Sequence, residues 1–251
     1  MDIYGLIGEK LAHSFSPDYF NKKFQKLGID AEYKLFELKS FDEFPEFIAN
    51  NPNIVGLNVT IPYKRSLGRF MDTTDNSVDL TGSINTIKIT KNKKGNFISG
   101  FNTDIIGFEE SLKPLIKNKK CVNALILGTG GSSKSIAYVL RKHGILFYFV
   151  SRNYDEMLQL NYKLLNKEII NKNTLIINTT PAGMYPNNND FPPIPYEFIT
   201  NKHLLFDLIY NPSETIFLKK GKAQGAKCIN GLKMLEIQAE ASWKIWRKKI
   251  F

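Results

Sequence analysis

The apolar run Val122 to Leu127, closed by Gly128-Thr129-Gly130-Gly131, constrains this chain more than any other stretch. An unbroken apolar run suits a strand covered on both faces, and Ile136, Val139 and Leu140 in the following segment, Ser132 to Arg141, have helical spacing. Strand, glycine turn and helix in that order make a dinucleotide phosphate site. The glycines let the backbone approach a pyrophosphate, and the helix N-terminus supplies N–H donors and positive potential. Ser133 stands where a third glycine is usual, so the strand-to-helix context carries this reading more than the glycines do. The next strand, Ile145 to Val150, ends in Ser151-Arg152-Asn153. An acid at that position would bind a ribose diol, whereas Arg152 can meet a 2′-phosphate, which points to NADP; the alternative is a surface arginine. Leu175 to Asn178 and Leu204 to Leu208 read as further strands, ending in the lips Thr179-Thr180-Pro181 and Ile209-Tyr210-Asn211-Pro212.

The N-terminal half has a different rhythm. Strands are expected at Asp2 to Gly8, Ala31 to Leu38 and Ile54 to Thr60, with helices from Pro17 and over Phe41 to Ile48. That alternation implies parallel pairing with right-handed crossovers. Ser14 and Ser16 lie in the loop leaving the first strand; Ser16 is placed to cap the helix, and two hydroxyls one residue apart can also bind a polyol or carboxylate. In Asn58-Val59-Thr60-Ile61-Pro62-Tyr63-Lys64, Pro62 ends the strand and is expected to start a helix. Lys64 then sits at a strand-to-helix junction, as a solvated lysine or as a cation directed into a cleft. Ser83 to Ile89 and Asn96 to Gly100 flank a turn rich in Asn, Lys and Gly, as in a hairpin. Asp104 opens the next helix, where the helix dipole alone would favour a carboxylate.

Composition narrows the function. The 251 residues are 43% hydrophobic and 23% charged, which fits a folded globule with room for two domains. No apolar run reaches the ~18 residues of a membrane span, and the N-terminus has no basic leader, so the cytoplasm is the expected compartment. Cys121 and Cys228 have no ligand-type spacing, so neither a disulfide framework nor a metal site is expected. The formal charge of +10 comes from scattered lysines, among them Lys91, Lys93, Lys94, Lys117, Lys119, Lys120, Lys248 and Lys249. They form no stripe interleaved with aromatics, which argues against nucleic acid.

Taken together, His13-Ser14-Phe15-Ser16-Pro17, Asn58 to Lys64, Asn85-Thr86, Asn102 to Phe108, Gly128 to Gly131, Asp207 to Pro212 and Asn230-Gly231-Leu232 resemble the shikimate dehydrogenase family. The resemblance covers nearly the whole chain. It implies an α/β protein of two domains: an N-terminal open α/β substrate domain, residues 1–104 completed by a C-terminal helix at 231–251, and a Rossmann domain at 105–230. It also implies NADPH-dependent, reversible reduction of 3-dehydroshikimate to shikimate, a step of aromatic amino-acid biosynthesis. Lys64 and Asp104 would be the catalytic pair. Ser14, Ser16, Thr60, Asn85, Tyr210 and Gln238 would bind the substrate. Gly128, Thr129, Gly130, Gly131, Ser132, Ser151, Arg152, Thr179, Leu208 and Gly231 would line NADP. Monomer and homodimer both stay open.

The chemistry suits these residues. Hydride transfer to a ketone builds negative charge on oxygen, which needs a proton or a cation nearby, and Lys64 can supply either. Two departures from the family pattern stand out. Ser83-Ile84 replaces the usual Ala-Val before Asn85, and Tyr154, Asp155 and Glu156 follow Arg152 where a second cation is common. The rival readings are a quinate/shikimate dehydrogenase using NAD and a dinucleotide-binding regulator without the reaction.

Overall fold

The computed structural model describes residues 1–11, 14–93, 95–117, 122–152 and 159–248. His13, Lys94, the linker residues 118–120, Cys121, the stretch from Asn153 through Glu156 and Lys249 lie outside the described residues. The chain divides into two compact units, one of Met1–Thr103 with Gln238–Phe251, the other of Asp104–Ile237.

In the first unit β1 (Asp2–Gly8), α1 (Ser16–Leu27), β2 (Ala31–Glu37), α2 (Phe44–Asn50) and β3 (Ile54–Val59) alternate as the sequence suggests. β4 (Thr73–Thr74), α3 (Asn76–Thr81) and the hairpin β5 (Thr86–Asn92) and β6 (Gly95–Phe101) follow. The sheet order is β2-β1-β3-β5-β6-β4. β1 pairs in parallel with β2 and β3, whereas β5 is antiparallel to both β3 and β6. Alternation sends Ile7, Leu57, Val59, Ile87 and Ile89 into one apolar cluster, and Tyr4, Leu6 and Tyr33 into another with Phe20, Phe24 and Trp246. Gly56 is required here, because a Cβ would lie 2.6 Å from the Trp246 ring.

The second unit contains α4 (Asp104–Ile116), β7 (Ala124–Leu127), α5 (Gly131–Lys142), β8 (Phe147–Ser151) and β9 (Gln159–Asn161). α6 (Lys167–Lys172), β10 (Leu175–Asn178), β11 (Leu204–Asp207), α7 (Ile216–Ala223) and β12 (Lys227–Ile229) follow, and α8 (Leu232–Arg247) crosses into the first unit. The strands lie in the order β12-β11-β10-β7-β8-β9, with every pair parallel. Read from β9, this is the doubly wound Rossmann order 3-2-1-4-5-6. Ala124, Ile126, Leu175, Ile177, Leu204 and Phe206 pack on one face; Leu125, Leu127, Val150, Ile176 and Leu205 pack on the other. This explains the continuous apolar runs.

Three local expectations change. Pro62 does not open an α-helix: Tyr63–Arg65 and Gly68–Phe70 are separate 3-10 turns. Tyr63 is buried with its phenol donating to the Leu38 carbonyl, and Leu67 is fully buried, so side-chain anchoring wins over helical continuity. Ser16 is the first helical residue and not the cap; Phe15 holds the cap position with no side-chain bond. The C-terminal helix, expected from Gly231, starts at Leu232, which is exposed.

Candidate active site

The first unit carries the candidate polyol-binding residues and Lys64. β1 and β3 run side by side and stop together: Thr60 N–H donates to the Ile7 carbonyl at 2.9 Å, and a Cβ on Gly8 would lie 2.7 Å from Thr60 Cγ2. Glycine at position 8 therefore lets Thr60 close over the strand end. Ser16 N–H donates to Ser14 Oγ at 3.3 Å, which sets the two serines against each other at the start of α1. Lys64 is partly buried in the first 3-10 turn, and its carbonyl accepts from Ile84 N–H at 2.8 Å. That bond ties the lysine's backbone to the segment that delivers Asn85.

Asn85 is 3% exposed. Its Oδ1 accepts from Thr103 N–H at 2.7 Å and from the Thr86 and Thr103 hydroxyls at 3.1 Å each, and its Nδ2 donates to Gln238 Oε1 at 3.1 Å. The amide orientation is thereby fixed. Behind it lies a buried network: Asn58 Nδ2 donates to Ser242 Oγ at 2.9 Å and to Thr86 Oγ1 at 3.3 Å, and Ser242 Oγ donates to the Gln238 carbonyl at 2.9 Å. The first unit thus brings Asn85 and Gln238 into direct contact and joins Ser14 to Ser16.

The second unit carries the candidate dinucleotide residues. Gly128 has φ of 105°, and a Cβ there would lie 2.9 Å from Thr179 Oγ1, so the turn needs glycine for conformation and for space. Thr179 Oγ1 donates to the Leu127 carbonyl at 2.7 Å, which packs the β10 lip against the glycine turn. Gly130 caps α5 in extended geometry with open space where a Cβ would stand, and Gly131 and Ser132 start the helix. N–H groups of a first helical turn have no partner within the helix. A Cβ on Gly231 would lie 2.0 Å from the Leu208 carbonyl oxygen, so only glycine permits this approach beside the β11 lip. Ser151 ends β8, and the exposed Arg152 follows, its carbonyl held by Asn161 Nδ2 at 2.7 Å. Thr129 lies in the turn and Tyr210 is partly buried in the lip after β11. These glycines, this helix start and this arginine fit a phosphorylated dinucleotide.

Asp104 is 1% exposed at the first turn of α4, and Ser132 Oγ lies 3.5 Å from its Oδ2. It is held within the glycine-turn unit, whereas Lys64 belongs to the other unit.

Sequence reasoning assigned no role to Tyr33, Asn58, Ser242, Asn178 or Asp207. Asn178 Nδ2 donates to Asp207 Oδ1 at 3.0 Å; Ile209 N–H donates to the same oxygen at 3.1 Å and Thr215 Oγ1 to Oδ2 at 2.6 Å. Burial raises the Asp207 pKa to about 6, against these three hydrogen bonds, which pull it down. The available signal was a polar residue at the carboxyl end of an apolar strand.

A family model described as shikimate dehydrogenase substrate binding domain matches residues 6–87. The NADP(+)-dependent shikimate dehydrogenase of Clostridium beijerinckii is 38% identical over 99% of this chain and 93% of its own length. Shikimate dehydrogenase 1 of Peptoclostridium difficile superposes with a TM-score of 0.86 at 36% identity, covering 100% of this chain and 94% of its own. The Thermus thermophilus enzyme, solved with NADP(H) and shikimate, superposes with a TM-score of 0.83 at 26% identity over 98% of this chain and 94% of its own. Two units of this topology, a full-length match and a fitting dinucleotide turn agree: the chain belongs to the shikimate dehydrogenase family.

Proposed function

We propose that the chain catalyses the reversible, NADP-dependent interconversion of 3-dehydroshikimate and shikimate, with Lys64 and Asp104 acting on the reacting oxygen. The reading is carried by the match to an NADP(+)-dependent shikimate dehydrogenase across 99% of the chain. NADPH supplies the hydride. Lys64 presents its ammonium to the oxygen where charge develops and gives it a proton; Asp104 accepts from a substrate hydroxyl and orients it. Asn85, whose Oδ1 is saturated by Thr103 and Thr86, offers its Nδ2 side to the ligand beside Gln238. Ser14, Ser16 and Thr60, at the carboxyl ends of β1 and β3, bind the remaining hydroxyls and the carboxylate; Tyr210 is a further substrate residue of this reading.

Gly128 to Ser132 cradle the pyrophosphate through backbone N–H groups. Ser151 and Arg152 hold the 2′-phosphate, and Thr179, Leu208 and Gly231 line the nicotinamide side. The test compares initial rates with NADP and NAD against shikimate and quinate. Turnover is expected with NADP and shikimate above every other pair. Faster turnover with NAD, or with quinate, would overturn the assignment of Arg152 or of the polyol.

A further inference from the structure

Tyr33 looks like an ordinary core aromatic on β2. It is 2% exposed, its ring stacks on Phe20 at 4.7 Å and 9°, and Asn21 on α1 clamps its backbone with bonds of 2.8 and 3.2 Å. Its phenol is less ordinary. The hydroxyl donates to Asn58 Oδ1 at 2.9 Å. Burial pushes the phenol pKa well above its usual value, so the proton stays available for Asn58. Asn58 in turn donates to Ser242 and Thr86, Thr86 donates to Asn85 Oδ1, and Ser242 donates to the Gln238 carbonyl. An unbroken line of neutral hydrogen bonds therefore runs from Tyr33 on β2 through Asn58 to Asn85 and Gln238, and Asn58 Nδ2 also reaches the Asn85 carbonyl at 3.4 Å. Its far end is a pair of substrate residues of the proposed reaction; Tyr33, Thr86 and Ser242 are buried.

We propose that Tyr33 is a positioning residue for the substrate, fixing the Asn85–Gln238 pair through Asn58. The inference rests on the functional reading above. Tyr33→Phe keeps the ring stack and removes only the hydroxyl. Losing one such bond should raise the shikimate KM about fivefold. The NADP KM should stay as it is, since no member of the line belongs to the dinucleotide unit. The decisive comparison is a double-mutant cycle: in an Asn85→Ala background, Tyr33→Phe should add less than about a further twofold, because Tyr33 acts through an amide already gone.

An unchanged shikimate KM, a parallel rise of both KM values, or full additivity with Asn85→Ala would each overturn the proposal. Wild-type protein assayed alongside separates the two claims. Turnover of shikimate by wild type with no selective effect of Tyr33→Phe rejects only the positioning role; no wild-type turnover rejects the functional reading and this inference together.

Discussion

Each unit holds a largely buried polar knot beside its sheet, and the two knots are built from opposite chemistry. In the first unit Tyr33, Asn58, Thr86, Thr103 and Ser242 meet through neutral donors and acceptors. In the second, Asn178, Thr180 and Thr215 gather around the carboxylate of Asp207. Both knots anchor the segments that carry proposed ligand residues: Asn85 and Gln238 in one, Thr179, Leu208 and Tyr210 in the other. The difference teaches that a buried polar cluster can be kept insensitive to pH or tied to it, depending on whether its central acceptor is an amide or an acid.

The largest expected break in this comparison is pH dependence. Asp207 carries a folded pKa of about 6 against an ordinary 3.8. The native state therefore holds the proton more tightly, and the stability from this group is full below the unfolded value and lost as pH rises through the folded one. Between about pH 4 and about pH 7 the stability difference between wild type and Asp207→Asn should change by roughly 2 kcal/mol in favour of the variant. Urea unfolding at both pH values reads this, and a difference flat with pH would contradict it.

Asn58→Leu attacks the neutral knot. It strips a partner from the Tyr33 hydroxyl and from Ser242 and Thr86, all nearly inaccessible to water, and should cost about 2 kcal/mol. The same unfolding experiment should give an equal loss at both pH values; a loss that grows or shrinks with pH would erase the contrast. Tyr33→Phe is the mildest of the three and is read in the shikimate KM.

Much of this architecture is legible in the chain itself. The runs at Ala124–Leu127, Leu175–Asn178 and Leu204–Asp207 are apolar throughout because both faces of the sheet are covered. The Asn-, Lys- and Gly-rich turn correctly marks the β5–β6 hairpin. α7 is not legible, because Gly221 weakens its helical pattern; that glycine serves packing, since a Cβ would lie 2.3 Å from Leu205 Cδ2. α6 and β9 are too short, at six and three residues, to establish a period. In the candidate site the glycine turn was readable. The supporting residues were not, because Tyr33 and Ser242 are interchangeable with core residues until strands distant in sequence bring them together.

The most direct test of the account is the kinetic partition of Lys64→Ala in shikimate oxidation by NADP. Wild type should turn over shikimate, and the variant should lose at least about a hundredfold in kcat while its shikimate KM changes only a fewfold. A variant that keeps its kcat and loses only affinity would make Lys64 a binding residue and contradict the catalytic assignment.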